Sequence, residues 1–269
     1  MGWPRSPRLA CATESDRAVI ADLVMAFALL TRIPLGRLPP ADWDGRLGRS
    51  VWAYPLVGAV VGAIGAGVYW ASQRVGLPVS LGAVCALAAG LLVTGALHED
   101  GLADTADGFG GGTGSARKLE IMRDSRIGTY GALALVLSLA ARWSAIVAMA
   151  EPGRVAAALI GAGALARGGL GVPVLLARPA RADGLGARLG TPSRPLAFLG
   201  IGFSVAITVL VLPLVLACGS ALAALATGLA MSWLARRQIG GYTGDVLGAT
   251  AVACECAVLG LLSANGVGR

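Results

Sequence analysis

Charge is what this sequence has least of. Only 14% of its 269 residues are Asp, Glu, Lys or Arg, while 56% are hydrophobic, and a soluble domain needs far more polar surface than that. Alternation of apolar and polar residues is also lacking. Stretches such as Val51 to Trp70 and Leu77 to Leu97 are continuously apolar, which excludes a transmembrane barrel and favours spanning helices. The five cysteines show no paired metal-ligand spacing and are read as structural or incidental. Residues 1–17 lack the apolar core of a secretory signal and are expected to form a disordered tail.

What is present is a series of runs near the 20-residue length of a spanning helix. They cover Ala18 to Leu30, Val51 to Trp70, Leu77 to Leu97, Tyr130 to Ala150, Val155 to Ala177, Leu196 to Ala217, Ser220 to Leu234 and Val246 to Ser263. The first and seventh are short. The expected fold is therefore all-α, a polytopic helix bundle of about 6–8 spans, with residues 18–269 forming one membrane-embedded domain in contact with lipid.

The formal net charge of +7 comes mostly from Arg and is read as a topology signal; nucleic acid is not an expected partner. Arg32, Arg37, Arg46, Arg49, Arg117, Lys118, Arg123, Arg126, Arg178, Arg181, Arg188, Arg194, Arg236 and Arg237 fall in or beside loops on one side. Arg5, Arg8, Arg17, Arg74, Arg154 and Arg269 fall on the other. The bias places the first set in the cytoplasm, and it sharpens if the first segment does not cross. In a bacterial cell this means a multi-pass inner-membrane protein.

The few acidic residues cluster. Glu99, Asp100, Asp104 and Asp107 follow directly on an apolar run. The i, i+4, i+7 spacing of the three Asp residues puts them on one face of a helix continuing past Leu97. Like charges so arranged repel unless a divalent cation sits among them, and hard oxygen donors suit Mg2+. Gly108, Gly110, Gly111, Gly112 and Gly114 come next, then Arg117, Lys118, Arg123 and Arg126. Glycine lets backbone N–H groups approach an anion, and the cations offset phosphate charge. Acid, glycine and base in that order describe a metal–diphosphate site on the cytoplasmic segment 98–129.

A second polar cluster, Gly240 to Asp245, precedes the last span, and Glu255 lies inside it. Asp245 is a further candidate metal ligand. Glu255 is expected to pair with Arg142 or Arg167, since charges inside a membrane find partners. His98, the sole histidine, is either a general base or a polar residue at the membrane boundary.

The chain resembles the cobalamin synthase family, the adenosylcobinamide-GDP ribazoletransferases of vitamin B12 assembly. The resemblance rests on Leu30 to Pro34, Tyr54 to Gly58, His98 to Gly108, Ile121 to Gly131, Thr243 to Gly248 and Glu255. Tyr54 stands where the family pattern has Phe, and Gly168 where it has an aromatic residue. The resemblance implies that Asp100, Asp104 and Asp107 bind magnesium and that the stretch from Lys118 through Arg123 and Asp124 to Arg126 holds the nucleotide diphosphate. It implies adenosylcobinamide-GDP and alpha-ribazole, or its 5'-phosphate, as substrates, with GMP released. Gly244, Arg142 and Arg167 join the expected substrate-binding set. The base is His98 or a metal-bound carboxylate, Asp104 or Asp107. Association with other late cobalamin-assembly enzymes is a further expectation.

Rival readings account for less. A CDP-alcohol phosphotransferase shares Asp104-x-x-Asp107-Gly108, but Phe109, Gly110 and Gly111 break its continuation. A prenyltransferase lacks its second Asp-rich motif. A transporter would bury its acids at mid-span, whereas most here lie at one interface.

Overall fold

With no water in the hydrocarbon core to satisfy backbone N–H and C=O groups, an apolar chain folds into helices that satisfy their own. The computed structural model describes residues 14–35 and 47–265, and among these it is helical throughout, with no strand. The expected tail falls outside the described residues up to residue 13, as do Arg37, Arg46 and Arg269 of the charge comparison.

The helices are α1 (Glu14–Leu30), a 3-10 turn at Ser50–Ala53 leading into α2 (Tyr54–Arg74), α3 (Val79–Thr94), α4 (Leu97–Gly111), α5 (Ser115–Ile121) and α6 (Thr129–Met149). They continue with α7 (Pro152–Gly169), α8 (Gly171–Leu176), α9 (Gly184–Leu189), α10 (Arg194–Val211), α11 (Leu214–Ile239) and α12 (Gly244–Ala264). Among the described residues six helical stretches are long and apolar enough to cross a membrane: the 3-10 turn with α2, α6, α7 with α8, α10, α11 and α12. The protein is a polytopic membrane helix bundle.

Three expected spans need correction. Leu77 to Leu97 does not run straight on through the acidic block. It stops at Thr94, and α4 departs from α3 at 89°. The run Leu196 to Ala217 ends at Val211, because Pro213 has no N–H to continue the ladder and restricts the residue before it. The short seventh segment is correspondingly a 26-residue helix, α11. The first segment, α1, has 17 residues and is not among the six spans. It begins at Glu14, inside the stretch expected as tail.

Helix ends obey local chemistry. Glu151 accepts from the N–H groups of Gly153 (2.8 Å) and Arg154 (2.7 Å), capping α7; these bonds hold its carboxyl below the usual range. Gly240, at φ +77°, ends α11 in the left-handed conformation that favours glycine.

Packing relies on small residues, which let backbones approach where lipid supplies no hydrophobic drive between helices. A Cβ on Gly58 of α2 would lie 2.0 Å from the carbonyl oxygen of Gly163 on α7. α4 crosses α12 equally closely, since a Cβ on Gly101 would meet the Asp245 carbonyl at 2.7 Å and one on Gly248 the His98 carbonyl at 3.1 Å.

The polar loops gather at one end. Arg123 meets Asp183, Lys118 meets Gln238 and Arg181 meets Asp245. Tyr69 and Ala150 join at the other, through a 2.6 Å bond from the phenol to the carbonyl.

Gly58→Ala is expected to lower stability in detergent by about 1–3 kcal/mol through overpacking. Gly67→Ala, on the same helix with nothing within 4 Å of the new carbon, should leave the melting temperature unchanged or raise it. Thermal unfolding of the two variants checks this.

Candidate active site

The bend between α3 and α4 decides where the acidic residues go. Gly95 and Ala96 both adopt positive φ, +63° and +56°. The Arg32 N–H bonds the Val93 carbonyl (2.7 Å), and the Arg32 guanidinium packs where a Cβ on Gly95 would stand, 2.0 Å from Nε. α4 is thereby turned across the Arg-rich end of the bundle.

The three aspartates on α4 have different surroundings. Asp100 is exposed, Asp104 half-buried and Asp107 buried. Asp107 was expected among the metal ligands and catalytic groups. Its Oδ2 accepts from the Gly128 N–H (2.7 Å) and its Oδ1 from the Gly131 N–H (2.8 Å), so it satisfies donors at the start of α6 from a different helix. Both glycines are required by this approach, since a Cβ on either would fall within 2.4 Å of a carboxylate oxygen.

Asp100 faces a cavity that it shares with His98, Gly244, Asp245, Arg181 and Tyr54, with leucines making up much of the remaining wall. The cavity has a volume of about 170 Å3 and opens to solvent, smaller than the roughly 300–1,000 Å3 of a site that encloses a whole small molecule. Asp104, one turn on from Asp100, feels the charge of both Asp100 and Asp245. Asp245 is placed by Thr243, whose hydroxyl caps α12 by accepting from the Val246 N–H (3.3 Å) and donates to Asp245 Oδ2 (3.1 Å).

Among the described residues no three His, Cys, Asp or Glu side chains come together closely enough to enclose a metal ion. That arrangement still fits magnesium, which is typically held by one or two carboxylates together with water and substrate phosphates. Asp100 and Asp245 are the two carboxylates that line the cavity.

The remaining expected residues fall into two groups. Lys118 donates to the Gln238 side chain, Arg123 holds Asp183 through two contacts of 2.6 and 2.7 Å, and Arg126 holds Asp124 at 2.7 Å. The Arg126 guanidinium draws the exposed Asp124 carboxyl down to about 2. All lie at the same end as the cavity, but none lines it. The glycine run is not a loop of free N–H groups as expected. Gly108, Gly110 and Gly111 are inside α4, where Gly108 packs on Met122 and Gly110 on the Tyr130 ring.

Arg142 and Arg167, expected to bind substrate, take part in a buried ion network. Arg142 NH1 reaches Glu99 Oε1 (2.9 Å) and Glu255 Oε2 (3.0 Å), and Arg167 holds the other oxygen of Glu255. Both expected partners of Glu255 are thus engaged at once. This network lines a second cavity on the far side of α4, with Thr94 and the small residues of α2, α3 and α7. His98 is buried between the two, and neither ring nitrogen has a hydrogen-bond partner among the described residues.

Sequence reasoning missed Arg181 and Asp183, which it counted only as loop charge or not at all, and Glu99, which it read as one more acid of the cluster. The signal for Glu99 was available: it points a quarter-turn away from Asp100 on a helix, toward the two intramembrane arginines.

Comparison with known proteins gives one family and close relatives. Residues 22–263 match the model of cobalamin-5-phosphate synthase. The chain is 50% identical over 261 residues to the adenosylcobinamide-GDP ribazoletransferase of Bradyrhizobium diazoefficiens, covering 96% of this chain and 98% of that one. It is 45% identical to the protein of the same name from Mesorhizobium japonicum, covering 92% and 94%. No solved structure matches it.

Asp107→Asn turns an amide N–H toward a backbone N–H, and it should cost about 1–2 kcal/mol of stability. Asp104→Asn should leave melting unchanged. Arg142→Met leaves Glu99 without its buried partner and should cost about 3–5 kcal/mol. Thermal unfolding in detergent measures all three, and an Asp107→Asn melt equal to wild type would remove the capping role.

Proposed function

The chain belongs to the cobalamin-5-phosphate synthase family, and from that premise we propose that it joins adenosylcobinamide-GDP to alpha-ribazole, or to its 5'-phosphate, with release of GMP. The relatives' names state that they act on adenosylcobinamide-GDP. The observation that carries the reading to this chain is the cavity at the Arg-rich end, which Asp100 and Asp245 line together with Arg181.

Phosphoryl transfer asks the protein for position and charge neutralisation. Magnesium, when bound, neutralises the diphosphate, and Asp100 and Asp245 would hold it. A ribazole hydroxyl oxygen attacks the phosphorus on the cobinamide side. The bond from that phosphorus to the bridging oxygen breaks, and GMP leaves with the electron pair. The hydroxyl proton passes to Asp104, whose oxygens accept no hydrogen bond among the described residues. Asp107 is committed to Gly128 and Gly131, and Asp245 to Arg181 and Thr243. His98, at 3% exposure, forms cavity wall. A cavity of about 170 Å3, open to solvent, receives the reacting diphosphate, while the nucleoside and the corrinoid extend outside it.

The cationic excess at this end of the bundle supports a cytoplasmic orientation in the inner membrane, where nucleotide substrates are available.

Purified protein in detergent should release GMP from adenosylcobinamide-GDP and alpha-ribazole only with magnesium. Asp104→Asn should abolish turnover while still binding adenosylcobinamide-GDP. A variant that turns over normally would remove Asp104 as the base, and magnesium-independent GMP release would remove the metal from the reaction.

A further inference from the structure

Arg181 lies on the loop between α8 and α9, well away in sequence from Asp245, the carboxylate it meets in the cavity wall. Two backbone bonds tie that loop to the stem of α12. The Tyr242 N–H donates to the Arg178 carbonyl (3.0 Å), and the Ala180 N–H donates to the Tyr242 carbonyl (2.8 Å). The approach is close enough that a Cβ on Gly241 would stand 2.3 Å from the Arg178 oxygen. The Tyr242 phenol donates to the Gly190 carbonyl (2.5 Å), which fixes the far end of the same segment. The loop is therefore a rigid mount, and what it mounts is a guanidinium in the wall of the carboxylate cavity.

The guanidinium is only partly used. NH2 donates to Asp245 Oδ2 at 3.2 Å, and Nε stands 3.8 Å from Asp183 Oδ1. NH1 is buried and has no hydrogen-bond partner among the described residues. A buried donor on a charged group left without an acceptor is costly, and native structures keep one where something is to fill it. Arg181 lines the cavity, and a small turn of its guanidinium would bring NH1 to an acceptor oxygen there. The other charges lining it are the carboxylates of Asp100 and Asp245, so an anion entering this space needs both a cation carried with it and a fixed donor of its own.

Resting on the function proposed above, we infer that Arg181 binds the diphosphate directly, giving NH1 to a non-bridging phosphate oxygen while NH2 stays on Asp245. A planar fork suits this double duty, since one edge orients on a carboxylate and the other presents donors to phosphate. The arginines of the 117–126 segment are then outer braces: Arg123 is spent on Asp183, the same residue that flanks Arg181.

The test uses the full chain in detergent. Binding of adenosylcobinamide-GDP is measured by equilibrium dialysis with magnesium and without alpha-ribazole, and GMP release is followed in parallel. Arg181→Ala should weaken binding about 10- to 100-fold and leave the KM for alpha-ribazole unchanged. Arg181→Lys keeps a charge opposite Asp245 but cannot serve carboxylate and phosphate together, so it should remain at least about 10-fold weak. Should Arg181→Ala fail to fold, the lysine variant carries the test. Full restoration by lysine would make Arg181 a mere counter-ion of Asp245 and overturn the inference, as would wild-type binding by Arg181→Ala. In either case a wild-type chain that still releases GMP leaves the parent reading intact. A wild-type chain that releases none overturns both.

Discussion

Inside a membrane a charge must find its opposite, and in this bundle one guanidinium satisfies that demand for three helices. Arg142 on α6 is shared by Glu99 on α4 and Glu255 on α12, and Glu255 passes its second oxygen to Arg167 on α7. Breaking any member leaves a partner stranded in low dielectric. The network therefore sets the register of α4 against α12. Glu99 is the residue before Asp100, and Glu255 lies ten residues, about 15 Å of helix, beyond Asp245. Fixing one pair of acids fixes the distance between the other pair.

The two polar regions flanking His98 are electrically opposite in kind. Two arginines and two glutamates balance in formal charge in the buried network, where Arg142 NH2 is buried without a hydrogen-bond partner among the described residues. The cavity beyond it is lined by Asp100 and Asp245 against Arg181 alone, with Asp104 close enough to feel both carboxylates, and the surplus negative charge is a standing demand for a cation. A site that stays negative until a metal-bound anion arrives discriminates against bare anions, because those meet carboxylates before they meet Arg181. Though its charge also reaches Asp104, Asp107 does not line the cavity. Its charge is spent on the amide end of α6, where it also benefits from the helix dipole.

Much of this was legible in the residues. Continuous apolar runs gave the spans, and the rule that intramembrane charges pair gave the partners of Glu255. Boundaries were misread where a single residue outweighs a window average: Pro213 ends α10 inside a run that hydropathy carries through, and Gly95 with Ala96 turns the chain inside another. The acidic block was recognised, but the i, i+7 spacing put Asp107 in the same role as Asp100, because spacing along one helix does not show which neighbour claims each position. Gly128 and Gly131, about twenty residues on, claim Asp107. Arg181 was hidden for a different reason. In a membrane protein a loop arginine reads as topology, and only the joining of the 178–180 and 240–243 segments shows that this one turns inward.

The bend after Thr94 also bears on the bilayer. α3 has 16 residues, a rise of about 24 Å, against a hydrocarbon core of about 30 Å. α3 passes as a span only together with α4, and a bilayer crossed by α3 alone would thin beside it or let its polar flanks reach inward. The turn and the acidic helix it launches would then lie deeper than the ends of the longer spans. Reactants of unlike solubility, one dissolved in the aqueous phase and one clinging to the membrane surface, would meet at the same depth.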